Sequence, residues 1–358
     1  MRILIHGYDN INLGDDLFFR ILSTRYPDVD FMMISDNDYE KIVDTPNIRC
    51  VKNNILNKIC RKLNIIPYQL LFESIDAVVV IGGSIFMEVE STGSCGAVTN
   101  IQRYKKWLPK TPIYIIGSNY GPARTSIFEN SVENVFRIAD SICLRDSYSF
   151  DIFKKNSKVR YASDVVFQLP RQKRNGDIYN TIGISLINLE NRQDLKIYKN
   201  CYIKLIKDII DKALCEKKYI KLFSFCENEG DYVACSEILG LYDRGAQDNI
   251  DIVAYTGNIG SFLEEFSKID KLYATRYHAV ILGLLYQIPT LPLVYSDKIL
   301  YALNDIGCNI PYIDIRKQVY EDINLLRAYV LENDILDTLV SSSNNQFKSL
   351  DSLLLYEN

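Results

Sequence analysis

The sequence predicts two doubly wound α/β domains facing a cleft, and three observations carry that expectation. The 358 residues exceed what one hydrophobic core usually serves. Short apolar runs alternate with longer segments of helical period, the pattern of parallel strands buried on both faces and joined by crossover helices. A stretch carrying Pro, Gly and charges, "LPRQKRNGDIYN" (169–180), interrupts the alternation near the middle of the chain, as an interdomain linker does. The expected divisions are an N-terminal α/β domain over 1–172, a C-terminal α/β domain over 178–316 and a helical tail over 317–358.

In the first half the strand-like runs are "RILIHG", "VDFMMIS", "DAVVVIGG", "PIYIIG" and "SICLRD". In the second they are "TIGISL", "YIKLFSF", "IDIVAY", "DKLYATR" and "TLPLVY". Between them lie amphipathic segments. In "CYIKLIKDIIDKALCEK" (201–217), positions 202, 206, 209 and 213, with 203, 210 and 214, make one apolar stripe opposite a charged face. Ligands in such sheets bind beyond the carboxyl ends of the strands, so residues at those ends are the candidates for chemistry.

Composition narrows the function classes. With 47% hydrophobic and 24% charged residues the chain reads as an ordinary globular protein. A net charge of -4 argues against a nucleic-acid binder that neutralises phosphates along its surface. The chain runs from Met1 straight into strand-like sequence, without the charged and apolar regions of a signal peptide, so a cytoplasmic location is expected. No apolar run reaches the roughly 18 residues of a spanning helix. Nine cysteines without a C-x-x-C pair make structural zinc improbable, and no metal is expected; Cys143 and Cys226 sit in apolar patterns where a reduced thiol packs as a small hydrophobe. The stretch "VKNNILNKICRKLNIIPYQLLF" (51–72) mixes Lys52, Lys58, Arg61 and Lys62 with Ile55, Leu56, Ile59 and Leu63. It suits an anionic membrane surface, but an ordinary surface helix packed on a sheet has the same pattern and is the simpler expectation.

Candidate chemistry lies at the strand ends. "HGYDNINLGDDLFF" (6–19) follows the first strand: Gly7, Asn12 and Gly14 give backbone freedom, and Asp15 and Asp16 open a helix. It is not the dinucleotide fingerprint, and carboxylates there would repel a phosphate. N-capping by Asp15 or Asn12 is the structural alternative, and a capping role is the expectation for Asp16. "VVVIGGSIF" (78–86) and "YIIGSNYGP" (114–122) each end a strand in glycines, so Gly82, Gly83, Gly117 and Gly121 either make tight turns or let a substrate approach the backbone. Arg145 and Asp146 in "CLRDSYSFDIF" (143–153) stand at another strand end, with Asp164 placed similarly. A buried Arg–Asp pair that only fastens elements is the alternative there.

The most polar interruption is in "LYATRYHAVILGLLYQIPTL" (272–291), where Arg276 ends a strand and His278, one of two histidines, opens a helix. "PLVYSDK" (292–298) brings Tyr295 and Lys298 to the next strand end. Arginine grips carboxylate or phosphate with two prongs, histidine gives or takes a proton near neutrality, and helix N–H groups favour an anion. A doubly anionic small molecule fits that set.

Taken in order, "NLGDD", "VVVIGGSIF", "GSNYGP", "LRDSYS", "SDVVF", "GISL" and "ATRYHAVILGLLYQIPTLPLVYSDK" resemble the polysaccharide pyruvyl transferase family over roughly residues 1–305. The most specific part is R-x-H, an apolar helix, I-P and Y-x-x-K, matched by Arg276, His278, Pro289, Tyr295 and Lys298. The sequence departs from the family pattern at Gly82-Gly83-Ser84, at "YDNINLGDD" and at "GSNYGP". The resemblance implies a glycosyltransferase-B-like architecture and transfer of pyruvate from phosphoenolpyruvate to sugar hydroxyls, with no cofactor beyond that donor. It implies His278 as proton donor and Asp15 as the group that accepts or orients the hydroxyl proton. Arg276, Lys298, Tyr295 and Arg145 would bind substrate with Asn12, Gly14, Gly82, Gly83, Ser84, Gly117 and Asn119. The N-terminal domain would take the saccharide acceptor, lipid-linked or free, with a peripheral contact at the inner membrane face left open. A nucleotide-sugar glycosyltransferase of the same architecture and a non-catalytic glycan- or anion-binding relative remain the alternatives.

Overall fold

The computed structural model describes residues 1–35, 39, 43–52, 54–67, 70, 73–89, 92, 93, 95–171, 179–190, 192–317 and 327–355. The chain forms two compact units, one of residues 1–10, 15–168 and 340–358, the other of 11–14 and 169–339. Most of the expected linker (172–178) and the start of the expected tail (318–326) lie outside the described residues.

The first unit is built on parallel strands β1 (Arg2–His6), β2 (Asp30–Ser35), β3 (Ile48–Lys52), β4 (Ala77–Ile81), β5 (Ile113–Ser118), β6 (Ser141–Leu144) and β7 (Val159–Tyr161). Among the described residues their order is β3-β2-β1-β4-β5-β6-β7. The order reverses between β1 and β4, where His6 pairs in register with Val80. Every residue of β4 is buried, which is why the run Ala-Val-Val-Val-Ile carries no polar alternation. The crossover helices among the described residues include Leu13–Arg25, Ile55–Lys62, Gly96–Trp107, Ser126–Ile138 and Ser147–Phe153. The last two start on side-chain caps, Thr125 accepting from the Phe128 N–H and Asp146 from that of Ser149.

Residues from the far end of the chain complete this unit. The Gln346 side chain, wholly buried, accepts from the Gly117 N–H at 2.9 Å and donates to the carbonyls of Ala162 (2.8 Å) and Ser163 (3.1 Å). Ser343 donates to the Asp164 carbonyl at 2.7 Å. One polar side chain thus satisfies one backbone donor and two backbone acceptors at the ends of β5 and β7 that would otherwise be buried unpaired.

The second unit repeats the design with β8 (Thr181–Ser185), β9 (Tyr219–Ser224), β10 (Ile250–Ala254), β11 (Lys271–Ala274), β12 (Thr290–Val294) and β13 (Ile313–Asp314). These are parallel and ordered β10-β9-β8-β11-β12-β13 among the described residues. The helix Lys199–Cys215 buries Tyr202, Leu205, Ile206, Ile209, Ile210 and Ala213, so the stripe is centred slightly toward Leu205 from the sequence expectation. The helix Tyr277–Leu285 buries almost every side chain and leaves only His278 partly exposed.

Residues 11–14 were expected in the N-terminal domain, and the structure places them in the second unit. The Leu13 N–H donates to the Phe225 carbonyl at 3.0 Å, and Asn12 bridges Cys226 in antiparallel fashion. These backbone bonds fix Asn12 and Gly14 beside the carboxyl end of β9. All nine cysteines are free thiols, and burial pushes that of Cys143 up to about 12. Among the described residues no helix is long and apolar enough to cross a membrane.

Candidate functional site

In the second unit β11 ends at Ala274, and the backbone N–H groups of Thr275 and Arg276 both donate to Ser185 Oγ, at 2.9 and 3.1 Å. That bond ties the turn to the end of neighbouring β8. Arg276 then occupies the N-cap of the next helix in extended conformation without spending its side chain on the cap. Its guanidinium reaches across to the loop after β9. Nε donates to Asp231 Oδ2 at 2.8 Å, Nη2 to Asp231 Oδ1, and Nη1 to Glu229 Oε2 at 2.6 Å. Asp231 is itself fixed by the Phe225 and Cys226 N–H groups, at 3.2 and 3.1 Å.

The expected two-pronged grip of Arg276 on a ligand is therefore taken up by two carboxylates of the chain. Three of the five guanidinium N–H donors are used in this way. Glu229 gathers further groups: Arg192 donates to Oε2 at 2.8 Å, and Asn12 Nδ2 lies 3.5 Å from Oε1. Burial alone would raise the Glu229 carboxyl, but Arg276, Arg192 and Lys298 outweigh it and hold the group below its ordinary value. Arg192 and Lys298 both face the ring of buried Tyr295, at 5.4 and 5.8 Å from its centroid. Burial opposes ionisation of that phenol, yet Lys298, Arg192 and Arg276 hold it below its ordinary value.

Asn12 links this set to the imidazole. Its Oδ1 accepts from the Gly14 N–H at 3.0 Å, capping the helix Leu13–Arg25. Gly14 in turn abuts His278: a methyl group on Gly14 would stand 2.7 Å from Cε1 and 2.8 Å from Cγ of the imidazole, and closer still to Nδ1. The same ring meets Tyr277 in a T-shaped contact, with centroids 5.0 Å apart. One connected cluster thus joins His278, Gly14, Asn12, Glu229, Arg276, Arg192, Tyr295 and Lys298.

The first unit carries a second cluster at the ends of β4, β5 and β6. Arg145 is buried and donates to Asp164 Oδ2 at 3.0 Å and Asn119 Oδ1 at 2.6 Å, with Ser84 Oγ at 3.5 Å. A Cβ on Gly83 would meet the guanidinium 2.6 Å from its central carbon. A buried Arg–Asp pair is present, but the partner of Arg145 is Asp164 and not the adjacent Asp146, whose side chain caps the following helix; Ser84 and Asn119 join the pair. Gly117 is set by packing: its φ is 73°, a side chain there would strike Phe18 and Val165, and its N–H belongs to Gln346. Asp15 lies in the first helical turn, its Oδ1 3.8 Å from where a Gly82 side chain would begin. Asp16 does not cap; it is buried and accepts from the Tyr39 hydroxyl at 2.7 Å. His6, at the end of β1, joins Asp9, Asn100, Arg103, Tyr104 and Trp107 around a cavity of about 150 Å³.

Sequence reading missed Glu229, Asp231 and Arg192. Its available signal was position: "CENEGD" follows β9 just as the named motifs follow their strands. A run so acidic reads as a solvated turn until a buried arginine is known to face it.

Over 98% of its length the chain superposes on 99% of the UDP-GlcNAc 2-epimerase from Methanocaldococcus jannaschii, with a TM-score of 0.59 and 13% identity. It superposes similarly on Anabaena Alr3699/HepE in complex with UDP and glucose, covering 97% of this chain and 95% of that one, with a TM-score of 0.55 and 10% identity. At these identities the likeness is one of fold, that of two parallel-sheet α/β domains of glycosyltransferase-B-like type. The family model described as polysaccharide pyruvyl transferase matches residues 12–297, which takes in both clusters except Lys298, one residue beyond the match. The chain belongs to the polysaccharide pyruvyl transferase family.

Proposed function

We propose that the chain moves the pyruvyl group of phosphoenolpyruvate onto two hydroxyls of a saccharide, forming a cyclic ketal and releasing phosphate. The observation that carries this reading is the cluster in the second unit, where three cations, Arg276, Arg192 and Lys298, surround Glu229 and Tyr295 on the network that reaches His278. Arg192 and Lys298, partly exposed, are the cations proposed to meet the carboxylate and phosphate of the donor. Arg276 acts behind them, fixing Glu229 and Asp231.

In this mechanism a saccharide hydroxyl adds to C2 of the enolpyruvyl group while His278 delivers a proton to the C3 methylene, which becomes the methyl group. The C2–O bond to phosphate then breaks, phosphate leaves with the bonding pair, and a second hydroxyl closes the ketal as its proton is released. Fixed cations beside the developing charge are worth most in a site that excludes water. Asp15 is proposed to orient the hydroxyl or take its proton, and the polar cavity with Trp107 and Tyr104 to hold saccharide in the first unit. No cofactor or metal enters these steps.

Incubation with phosphoenolpyruvate and candidate glycans should release phosphate and add a pyruvyl ketal to the glycan. His278→Ala should lower kcat by about 10²–10⁴, the usual range for a positioned acid. The second reading rests on Alr3699/HepE, whose structure holds UDP and glucose: the same cations would then face a diphosphate. Turnover with UDP- or GDP-sugars alone, and none with phosphoenolpyruvate, would establish that reading instead.

A further inference from the structure

The helix Ile55–Lys62 in the first unit faces the wrong way for an ordinary packed surface helix. Its Asn57 is fully buried, and that side chain donates to the Lys52 carbonyl at 2.8 Å while its N–H is accepted by Asn54 Oδ1 at 2.9 Å. The apolar residues point out instead. Ile55 is 77% exposed, Leu56 60%, Ile59 49% and Leu63 64%, with Ile65 just beyond at 50%. At helical spacing, positions 55, 56, 59 and 63 occupy one stripe about 100° wide. Lys58 and Lys62, both exposed, lie along one flank of that stripe. Val51 before the helix and Leu70 after it are buried in the core, so the segment is anchored at both sides.

Charge names the occupant. Between Asp44 and Glu73 the sequence carries Arg49, Lys52, Lys58, Arg61 and Lys62 and no Asp or Glu, in a chain whose net charge is -4. Arg49 is engaged with Asp30 and Glu73, and the cations that flank the apolar stripe are the exposed Lys58 and Lys62. A second copy of this chain would bring the same lysines against one another, so self-association is disfavoured. An apolar stripe flanked by lysines is the arrangement that lies in the headgroup region of an anionic bilayer.

We propose that the helix Ile55–Lys62, with Leu63 and Ile65, is a membrane-surface docking site that seats its apolar stripe in an anionic lipid leaflet. The proposal is independent of the donor and of the reaction. It places the first unit at a bilayer without a spanning segment.

Flotation of the full chain with vesicles of phosphatidylcholine and phosphatidylglycerol, against phosphatidylcholine alone, tests it. Binding is expected on the anionic vesicles, at least tenfold weaker on the neutral ones, and falling as salt is raised. Lys58→Gln with Lys62→Gln should lower partitioning about 25-fold, at roughly fivefold per lysine. Ile55→Ser with Leu56→Ser and Ile59→Ser should abolish it with the circular dichroism spectrum unchanged, since these side chains face solvent. Failure to float with anionic vesicles, or flotation untouched by both variants, overturns the proposal. Sedimentation showing a dimer that the triple serine variant converts to monomer overturns it in favour of a second copy.

Discussion

Gly14→Ala isolates the role of the imidazole's support. The added methyl would stand 2.7–2.8 Å from two ring carbons of His278, where carbon atoms ordinarily approach no closer than about 3.5 Å. The ring must therefore retreat by roughly 1 Å, and a misplacement of that size at a reacting group costs on the order of 10²-fold in rate. Stability should fall by up to about 2 kcal/mol. Alanine gains up to about 1 kcal/mol over glycine within a helix, against about 1–3 kcal/mol for overpacking. The chain has two histidines, so imidazole nitrogen NMR resolves both: the His278 signals should move and those of His6 should stay. Phosphate release should fall about 10²-fold in the wild-type background and not at all further in His278→Ala. An unmoved His278 signal, or an equal loss of rate in both backgrounds, would refute the inference that Gly14 acts through His278.

Three further outcomes follow from the two clusters. Lys298→Met removes the cation that does most to hold the Tyr295 phenol down, so ultraviolet titration should show that tyrosine ionising at higher pH; an unchanged titration curve contradicts the assignment. Arg145→Met leaves Asp164 buried without its counter-ion and should cost about 3–5 kcal/mol in urea unfolding, with Arg145→Met/Asp164→Leu recovering much of it. A single-variant loss below about 1 kcal/mol would show the pair to be dispensable. Glu229 is held below its ordinary value of 4.5 by Arg276, Arg192 and Lys298 against the opposing effect of burial. A depressed carboxyl contributes its stability above the unfolded value and loses it as pH falls through the lower folded one. The stability gap between wild type and Glu229→Gln should thus be constant above the carboxylate range and close in acid; a gap that widens on acidification reverses the sign.

Ten strands were legible because they are short apolar runs with no polar alternation, the mark of burial on two faces. The strands β3, β7 and β13 were not. Ile48–Lys52 is an edge strand with exposed Arg49 and Lys52, and Val159–Tyr161 and Ile313–Asp314 are only three and two residues long. Such pieces carry too little period to stand out. At the site, Arg276, His278, Tyr295 and Lys298 were visible as polar interruptions of an apolar strand–helix unit. The carboxylates that claim Arg276 were not, because their meaning depends on β9 and β11 both pairing with β8, a fact of topology. The exposure of Ile55, Leu56 and Ile59 was hidden for the same reason: an amphipathic period tells which residues share a face, and only the packing of Asn57 tells which face turns in.

The seat of Gln346 against Gly117, Ala162 and Ser163 bears on how the polypeptide is born. The strand ends it satisfies are translated first, and the amide that satisfies them emerges only after residues 169–339. Domains generally mature as units in the order of synthesis. Here residues 169–339 separate the strands of the first unit from the segment that completes it, so that unit cannot close until those residues have been made.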